Sequence, residues 1–360
     1  MAHTLADIVP SVAWHLGAGG KDTVGLPHAQ RYVLVLVDGL GWANLFDSDS
    51  VAPVMRDLPA DLLRVGMPST TATSLVSLTT GVTAGQHGVV GYSFRIAAGA
   101  ALNTMSWDQV GAVPERIQKI PTWFEQLAEA MPGEPPCAVV VPAVFAGSGM
   151  TRAALRGAQF VGVPDEKDWA ARLAQIVDTA ASHRLTYVYE RSLDHIGHLR
   201  GVRSAAWLQK LAAVDAFIGN LRAALPPGTG LLVTGDHGMV DVPKTHHISI
   251  EDSPALAEGV DMVAGEARLR HVYTADPPAL ASRWQAWLGD RALVRLRDDA
   301  MPWFGAASPD VAYRVGDVVV AALADWAVLT LQRPREANLI GMHGSVTQPE
   351  QQVALLKELT

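Results

Sequence analysis

Short runs of apolar, mostly β-branched residues recur along the chain, and each run leads into a loop of polar or small residues. The clearest is Tyr32–Val37, which reads YVLVLV and passes directly into Asp38-Gly39-Leu40-Gly41. The same pattern returns in three further runs, Cys137–Val141, Leu185–Tyr189 and Gly230–Thr234. Apolar runs of this length without polar alternation predict strands that are buried on both faces of a sheet.

Helical stretches separate these strands, notably Pro121–Ala130, Asp168–Ser182 and Ser204–Leu225. Alternating strands and helices predict an α/β sandwich, in which a central, mostly parallel sheet lies between helices. Polar residues just beyond the strands then share the carboxyl edge of the sheet, where such folds place their functional sites.

The stretch from roughly residue 240 to residue 334 follows this alternation less regularly. It contains Pro277-Pro278, several tryptophans and a predicted strand at Ala312–Val320. We expect one catalytic domain over residues 1–360, with this stretch as an irregular insertion or small lobe that returns the chain toward His343.

Composition and charge limit the partners, the disulfides and the location that we expect. The 360 residues carry a net charge of −8 without a cluster of Lys or Arg, so a nucleic-acid polymer is not an expected partner. Small anionic substrates stay possible if bound metal ions supply positive charge. Cys137 is the single cysteine, which excludes an intramolecular disulfide. The first residues lack a basic stretch, and no run of roughly 18 apolar residues occurs. We expect a cytoplasmic protein without a membrane segment.

Five segments combine Asp, His or Thr with glycine: Val37-Asp38-Gly39, Met67–Gly81, Asp194–His198, Thr234–Met239 and Gly341–Gly344. Each has an ordinary structural interpretation when taken alone. Asp38 could simply cap a turn, Asp194 and His198 could form a surface pair one helical turn apart, and His343 could be structural. Their conjunction at the ends of predicted strands favours a site for Zn²⁺ or Mn²⁺, which Asp and His side chains bind.

These segments resemble the motifs of the type I phosphodiesterase/nucleotide pyrophosphatase family of the alkaline phosphatase superfamily. The shared motifs are VDGLG, a threonine-rich segment ending in TTG with QHG after it, DHIGH, GDHGM and a late GMHG. The resemblance implies an alkaline-phosphatase-like fold. It also implies hydrolysis of phosphodiester or phosphoanhydride bonds in small phosphate esters or nucleotides.

The resemblance further implies a site for two divalent cations, Zn²⁺ or Mn²⁺. One cation would be held by Asp38, Asp236, His237 and the nucleophilic threonine. The other, associated with activation of water, would be held by Asp194, His198 and His343. In the family the nucleophile precedes the glycine of the TG pair by ten residues, which leads from Gly81 to Thr71. The neighbouring Thr70 is the main competitor.

The chemistry of threonine agrees with this choice. A threonine hydroxyl is a poor nucleophile and needs a base or a metal ion, and no G-x-S-x-G elbow offers another nucleophile. Residues 72–80 predict a short helix that ends at Gly81, with Thr71 as its N-cap. Free backbone N–H groups at a helix start favour a phosphate oxygen. Attack by Thr71 would give a phosphothreonine intermediate.

Two positions depart from the family pattern. Ser74 stands where members that hydrolyse nucleotides usually carry an Asn that contacts the phosphoryl group, and Leu193 replaces a proline. Ser74 is therefore a candidate for a different phosphate contact. Arg191, beside the Asp194 motif, is either a second phosphate contact or a solvated charge.

Other candidates have weaker support. We expect His246-His247 in a surface loop and His87 in a structural position behind the Thr71 helix. The aromatic residues Tyr92, Trp107 and Phe145 either stack on a nucleobase or belong to the core.

Other functions are compatible with the same motifs. A phosphomonoesterase, a phosphonate hydrolase or a phosphomutase of the superfamily would use the same ligands. A sulfatase is disfavoured because Cys137 lies outside the motif that such enzymes modify. The alternative from a different class is a metal-bound binding protein without activity.

Overall fold

A computed structural model describes residues 3–47, 51–96, 99–109, 111–133 and 135–360. The strands in chain order are β1 (Arg31–Val37), β2 (Ala60–Arg64), β3 (Ser93–Arg95), β4 (Ala101–Asn103), β5 (Cys137–Pro142), β6 (Gln159–Val163), β7 (Leu185–Glu190), β8 (Thr229–Thr234), β9 (Val240–Asp241), β10 (His247–Ser249), β11 (Met262–Glu266), β12 (Leu269–Tyr273), β13 (Ala292–Leu296), β14 (Val318–Ala322), β15 (Ala327–Leu329), β16 (Gly341–Met342) and β17 (Gln352–Leu359).

The α-helices in chain order are α1 (Ile8–His15), α2 (Trp42–Phe46), α3 (Pro53–Asp57), α4 (Thr71–Thr80), α5 (Ala84–His87), α6 (Pro114–Ile117), α7 (Trp123–Ala130), α8 (Gly149–Ala154), α9 (Trp169–Ser182), α10 (Ser192–Arg200), α11 (Ala205–Ala224), α12 (Pro254–Ala257), α13 (Pro277–Leu288), α14 (Arg297–Phe304), α15 (Pro309–Ala312) and α16 (Gln348–Gln351). Short 3-10 helices occur at Leu5–Asp7, Ala143–Phe145, Lys244–His246, Gly289–Arg291 and Pro334–Asn338.

Within the described residues, seven strands form the central sheet in the order β2-β17-β8-β1-β7-β5-β6. Strand β1 lies between β7 and β8 and is parallel to both, with Val35 opposite Val188 on one side and Val233 on the other. Strand β17 is antiparallel to its neighbours β8 and β2. The predicted α/β fold with a mostly parallel central sheet is confirmed.

Strand β1 shows why apolar runs mark this sheet. Alternate side chains of a strand point to opposite faces, and both faces of β1 are covered. Tyr32, Leu34 and Leu36 pack into the core that contains helix α4, whereas the three valines of the strand pack against α9 and α11. Every residue of β1 after Arg31 is therefore buried.

Predicted boundaries of the main elements are accurate to one or two residues. Each of the four predicted strands extends by one residue. Asp168 and Ser204 lie just before their helices, where their side chains accept hydrogen bonds from Ala171 N and Trp207 N. Helix α7 begins at Trp123 rather than Pro121, because Thr122 and Glu125 form a capping box there.

The stretch 240–334 is more regular than its sequence pattern indicates. Strands β11, β12, β14 and β13 form an antiparallel sheet in that order, and Trp284 of α13 packs into its core. We call this sheet and helices α12 and α13 the lobe. The predicted strand Ala312–Val320 was wrong at its start: residues Pro309–Ala312 are helical and the strand is Val318–Ala322. Ser308 and Pro309 explain the error, since Ser before Pro is a helix-start signal.

Among the described residues, no helix combines the length and apolar character needed to cross a bilayer. The cytoplasmic location stays a prediction from the sequence.

Candidate active site

Three neighbouring strands deliver the three aspartates to one edge of the sheet. Asp38 follows β1 and Asp236 lies just beyond β8, whereas Asp194 lies on α10, which begins two residues after β7. The start of α10 is fixed by Glu190, the last residue of β7, whose carboxylate accepts a hydrogen bond from Ser192 N at 2.7 Å. Parallel strands that end together thus bring residues distant in sequence to one place.

Asp38, Asp236 and His237 form the first group, and all three are buried. His237 Nε2 lies 3.4 Å from Asp38 Oδ1 and 3.5 Å from Asp236 Oδ2. Asp194, His198 and His343 form the second group. His198 Nε2 is 3.3 Å from Asp194 Oδ2, and His343 Nε2 is 4.0 Å from Asp194 Oδ1. In each group the three possible ligand atoms lie within 4.8 Å of one another.

All three histidines are held in the same tautomer. The Nδ1 atoms of His198, His237 and His343 lie 2.8, 3.1 and 3.0 Å from the backbone carbonyl oxygens of Gly341, Gly238 and Ser69. A carbonyl only accepts, so each Nδ1 carries the proton and donates it. Each Nε2 atom therefore faces a carboxylate, in a position from which it can bind a cation, as in metal-binding histidines.

The carboxylates carry more negative charge than their neighbours compensate. Asp194 Oδ1 and Asp236 Oδ2 are buried without a hydrogen-bond partner among the described residues. Burial, with the charge of Asp38, raises the pKa of Asp236 to about 8 and that of Asp194 well above its ordinary value. Burial alone would lower the pKa of His237, but Asp236 and Asp38 raise it to about 10. A divalent cation fits each group, because it would compensate these charges and fill the open coordination.

Gly39 allows the two groups to approach. Its φ of +75° lies in the left-handed region, and a Cβ there would stand 3.1 Å from the Cα and Cβ of Asp194. Its N–H donates a hydrogen bond of 3.0 Å to Asp236 Oδ1. A residue with a side chain would strain this turn and push Asp194 away.

Thr71 lies at the start of the buried helix α4, next to the first group. Its Oγ1 donates to Asp38 Oδ1 over 3.4 Å and lies 3.2 Å from His237 Nε2. The N-cap residue is Thr70, so the prediction that Thr71 caps the helix was wrong by one position. Helix α4 ends as predicted at Gly81, with φ +74°. The Thr70 side chain instead hydrogen-bonds Glu266.

The two predicted phosphate contacts are less available than Thr71. Ser74 is fully buried, donates to the carbonyl of Asp236 over 2.6 Å and does not line the cavity described below. The Ser74 hydroxyl is thus bonded to the loop behind the site, and a phosphate contact from Ser74 stays a prediction. Arg191 does line the cavity, but its guanidinium forms two hydrogen bonds with Glu166.

The remaining candidates divide between cavity and scaffold. Tyr92 and Phe145 line the cavity, whereas Trp107 packs against the core and donates to Ala112 O over 2.6 Å. His87 lies behind α4, with Nε2 3.0 Å from Ser77 Oγ, as a structural position predicts. His246 stacks on Trp326, away from the site.

Two residues of the site, Tyr189 and Glu266, are not indicated by the sequence motifs. Tyr189, the neighbour of Glu190 in β7, donates its hydroxyl to Asp38 Oδ2. Glu266, the last residue of β11, reaches from the lobe to within 3.6 Å of His343 Nδ1, and burial raises its pKa to about 8. Tyr189 could have been suspected from its place at the end of a buried strand. Glu266 belongs to no motif, and no signal in the sequence distinguishes it.

These residues surround a cavity of about 720 Å³ between the sheet edge and the lobe. Thr71, Asp38, Asp194, His198 and His343 lie in its wall, together with Asn103, Met105 and residues 332–336. A cavity of this size admits a small molecule, and its wall contains Asp38, the whole second group and the hydroxyl of Thr71. Such an arrangement suits hydrolysis assisted by two metal ions.

Comparisons with known proteins identify the family of the chain and structures of similar fold. The family model of type I phosphodiesterase/nucleotide pyrophosphatase matches residues 32–346. No curated protein sequence matches the chain. Murine ectonucleotide pyrophosphatase/phosphodiesterase 5, solved as an inactive form with AMP, has a similar fold, with TM-score 0.69 and 18% identity over 91% of this chain and 87% of that chain. Phosphonoacetate hydrolase from Sinorhizobium meliloti 1021, solved with phosphonoformate, gives TM-score 0.70 and 17% identity over 92% and 91%. At such identities the likeness concerns the fold.

Proposed function

The chain belongs to the type I phosphodiesterase/nucleotide pyrophosphatase family, and from this premise we propose that it hydrolyses phosphodiester or phosphoanhydride bonds in small molecules through Thr71. It is a hydrolase of the alkaline phosphatase superfamily. The proposal adds the mechanism: two divalent cations, a threonine nucleophile and a covalent phosphoryl intermediate.

The position of Thr71 carries the proposal. Its Oγ1 is within 3.4 Å of both Asp38 Oδ1 and His237 Nε2, at the wall of a cavity that also contains the second group. A threonine that served only to begin α4 would not need two ionisable neighbours. The hydroxyl therefore has an acceptor for its proton within reach, which a nucleophilic threonine requires.

Asp38, Asp236 and His237 would hold one cation, and Asp194, His198 and His343 the other. When bound, the cations supply Lewis acidity and make water more acidic. Three Asp and three His ligands suit Zn²⁺, and Mn²⁺ is the alternative. Tyr189 would fix the orientation of Asp38, since its hydroxyl occupies Oδ2 and leaves Oδ1 toward Thr71.

The reaction takes place in two steps. Thr71 Oγ1 forms a bond to phosphorus while the bond to the leaving oxygen breaks. The hydroxyl proton leaves along the hydrogen bond to Asp38 and passes on to water, because Asp38 has a lowered pKa and does not keep it. In the second step water adds to phosphorus, the bond to Thr71 Oγ1 breaks, and the threonine recovers a proton. Backbone N–H groups in the first turn of α4 favour the phosphoryl oxygens in both steps.

A phosphonate hydrolase is the second candidate. The fold of this chain is shared with phosphonoacetate hydrolase, and the same two groups would serve cleavage of a phosphorus–carbon bond. A phosphomonoesterase would also use them. The choice of substrate distinguishes these possibilities. A phosphonate hydrolase cleaves a phosphorus–carbon bond, in a substrate that has no oxygen between phosphorus and the leaving carbon.

The covalent intermediate provides the test. The protein is mixed with bis-p-nitrophenyl phosphate and Zn²⁺, quenched in acid within the first turnovers, digested and analysed by mass spectrometry. We expect a p-nitrophenyl phosphoryl ester on the peptide that contains Thr71. Turnover with an unmodified Thr71 peptide at every quench time, or with the adduct on Thr70, would contradict the proposal.

A further inference from the structure

A segment of the chain crosses the outer wall of the cavity and brings two arginines to it. Residues 330–340, here called the rim segment, follow β15 and contain the 3-10 helix Pro334–Asn338. Arg333 and Arg335 both line the cavity, and Arg335 is exposed. Neither residue belongs to the five motifs found in the sequence or to the proposed catalytic and metal-binding residues.

The rim segment is fixed at several points. Arg270, fully buried in β12 of the lobe, forms an ion pair with Glu336 and donates to Val328 O over 2.8 Å. Thr330 Oγ1 donates to Glu251 Oε1 over 2.5 Å. At the other end, Ile340 N donates to the carbonyl of His198 over 2.8 Å. The segment is thus attached to a residue that would bind the second cation, so its backbone holds a set position relative to the site.

Neither Arg333 nor Arg335 has an acidic partner among the described residues. The guanidinium of Arg333 lies over the ring of Tyr92, 5.0 Å from its centroid, and makes no ion pair with a described residue. For Arg335, no hydrogen bond, ion pair or ring contact to the described part of the chain is present. By contrast, Arg191 on the same cavity is neutralised by Glu166, and Glu336 by Arg270. The cavity wall therefore offers two uncompensated positive charges in a chain whose net charge is −8.

We propose that Arg333 and Arg335 bind a second anionic group of the substrate, a carboxylate or a phosphate outside the phosphoryl group that Thr71 attacks. Guanidinium groups suit both anions, because their N–H donors match two oxygens at once. The ring of Tyr92 packs against the Arg333 guanidinium, which lowers the entropy lost when the arginine binds. This inference rests on the proposed function and names its substrate class: small phosphate compounds with an additional negative charge.

An ordinary solvated arginine would have no effect on substrate choice, so matched substrates test the proposal. The three probes are p-nitrophenyl phosphate diesters whose second ester group is phenyl, 4-carboxyphenyl or 4-phosphonophenyl. They differ only in the remote anion, and the last two distinguish a carboxylate from a phosphate-like group. Release of p-nitrophenolate gives kcat/KM for wild type, Arg333→Gln, Arg335→Gln and the double variant.

We expect the double variant to lose roughly tenfold or more in kcat/KM on the anionic probes, in line with two charge-assisted hydrogen bonds. The phenyl probe should change less than about twofold, within the scatter of a remote surface change. Arg335→Lys should keep part of the preference. Arg116→Gln is the matched control, because Arg116 is also exposed but lies outside the cavity wall.

Calorimetry gives a second readout that does not need turnover. Thr71→Ala protein with and without the two Gln substitutions is titrated with 4-carboxyphenyl phenyl phosphate, and we expect weaker binding without the arginines. Equal effects on all probes, or equal affinities in calorimetry, would overturn the inference and leave the proposed function standing. If wild type cleaves none of the three diesters, the proposed function is wrong, and the calorimetric comparison still decides whether the arginines bind the anion.

Discussion

The rings of His237 and His343 are stacked, with centroids 3.6 Å apart and 16° between their planes, although each belongs to a different group of potential ligands. Both rings donate Nδ1–H to the backbone, and their Nε2 atoms face the carboxylates of their own groups. Two cations bound through these atoms would be close neighbours. This proximity is what in-line displacement at phosphorus needs, because charge develops on the attacking and the leaving oxygen together.

Thr71→Ala should abolish nearly all turnover, by a factor of roughly 10³ or more, because it removes the nucleophile itself. Thr70→Ala is the matched control, since it deletes the neighbouring hydroxyl and only a hydrogen bond to Glu266. That loss should cost roughly tenfold or less. The measurement is kcat/KM on bis-p-nitrophenyl phosphate, with circular dichroism to verify folding. A larger loss for Thr70→Ala would show that the nucleophile is one residue earlier.

Removal of metal should abolish activity, and Zn²⁺ or Mn²⁺ should restore it. His343→Ala should bind about one equivalent less metal than wild type and slow release of the phosphoryl group from Thr71. Metal content is measured by plasma mass spectrometry on the same samples as the rates. His246→Ala provides the control, because His246 contacts Asp325 and Trp326 outside the site. Full metal content and full activity in His343→Ala would exclude His343 as a ligand.

Gly39→Ala should weaken metal binding as well as the fold. Its Cβ would enter a left-handed turn and meet Asp194 at 3.1 Å, so both the turn and the second group must shift. Gly228→Ala isolates the backbone cost, because Gly228 has φ +79° with no atom within 4 Å of the added carbon. Each variant should lose about 1 kcal/mol of unfolding free energy from φ alone. Only Gly39→Ala should also bind Zn²⁺ more weakly; equal affinities in the two variants would contradict the steric argument.

Diesters should be hydrolysed faster than monoesters. Among the described residues, no arginine contacts Thr71 or the first group, so the charge of a dianionic phosphoryl group has no dedicated partner there. A diester brings one negative charge to the same place and is accommodated more easily. We expect kcat/KM for bis-p-nitrophenyl phosphate to exceed that for p-nitrophenyl phosphate under one buffer and metal. A monoester preference of about tenfold, or roughly 1.4 kcal/mol in transition-state binding, would favour a phosphomonoesterase.

Two buried histidines behind the site should make the fold sensitive to acid. His87 accepts from Val89 N through Nδ1, and His271 accepts from Gly316 N in the same way, so each ring is neutral with its proton on Nε2. Protonation of Nδ1 would point its N–H at the backbone N–H that now donates to it, and the two groups would repel each other. Burial, with the charge of Arg314, lowers the pKa of His87 to about 3, and burial lowers that of His271 to about 4.

The direction in which stability changes with pH follows from the unfolded chain, in which a histidine has a pKa of about 6.5. As pH falls below that value the unfolded chain binds the protons first, so the free energy of unfolding decreases until the folded-state pKa is reached. Between these two pKa values, each histidine should lower the free energy of unfolding by roughly 1 kcal/mol per pH unit. Urea unfolding at pH 7 and pH 5, with chelator present, should show a smaller loss for His87→Gln than for wild type or His246→Gln. An identical loss in all three proteins would refute the assignment.

The sequence predicted the central sheet well because its strands are covered on both faces. An uninterrupted apolar run such as that of β1 has few other uses in a chain with polar loops. The six Asp and His residues of the two groups could be predicted equally well from the sequence, since each lies beside a glycine or within a short motif at a strand end. The structure brings them into two groups of the composition that the family resemblance implied.

The lobe and its contributions could not be predicted in the same way. Glu266 reaches the site only because β11 runs toward the sheet edge, which depends on how two sheets pack rather than on local sequence. Arg270 is similar: it occupies a position in β12 that alternation would assign to an apolar residue, yet it is fully buried and paired with Glu336. A buried charge with a partner 66 residues away in sequence leaves no local pattern.

Strand β17 determines when the central sheet can first be completed during synthesis. It follows every residue of the site in the chain, yet it fills the place between β8 and β2 inside the sheet. Until residue 359 has left the ribosome, β8 presents an unpaired edge beside the loop that carries Asp236 and His237. Such an edge can pair with other nascent chains. We therefore expect folding and aggregation to compete most strongly in the interval before β17 has been synthesised.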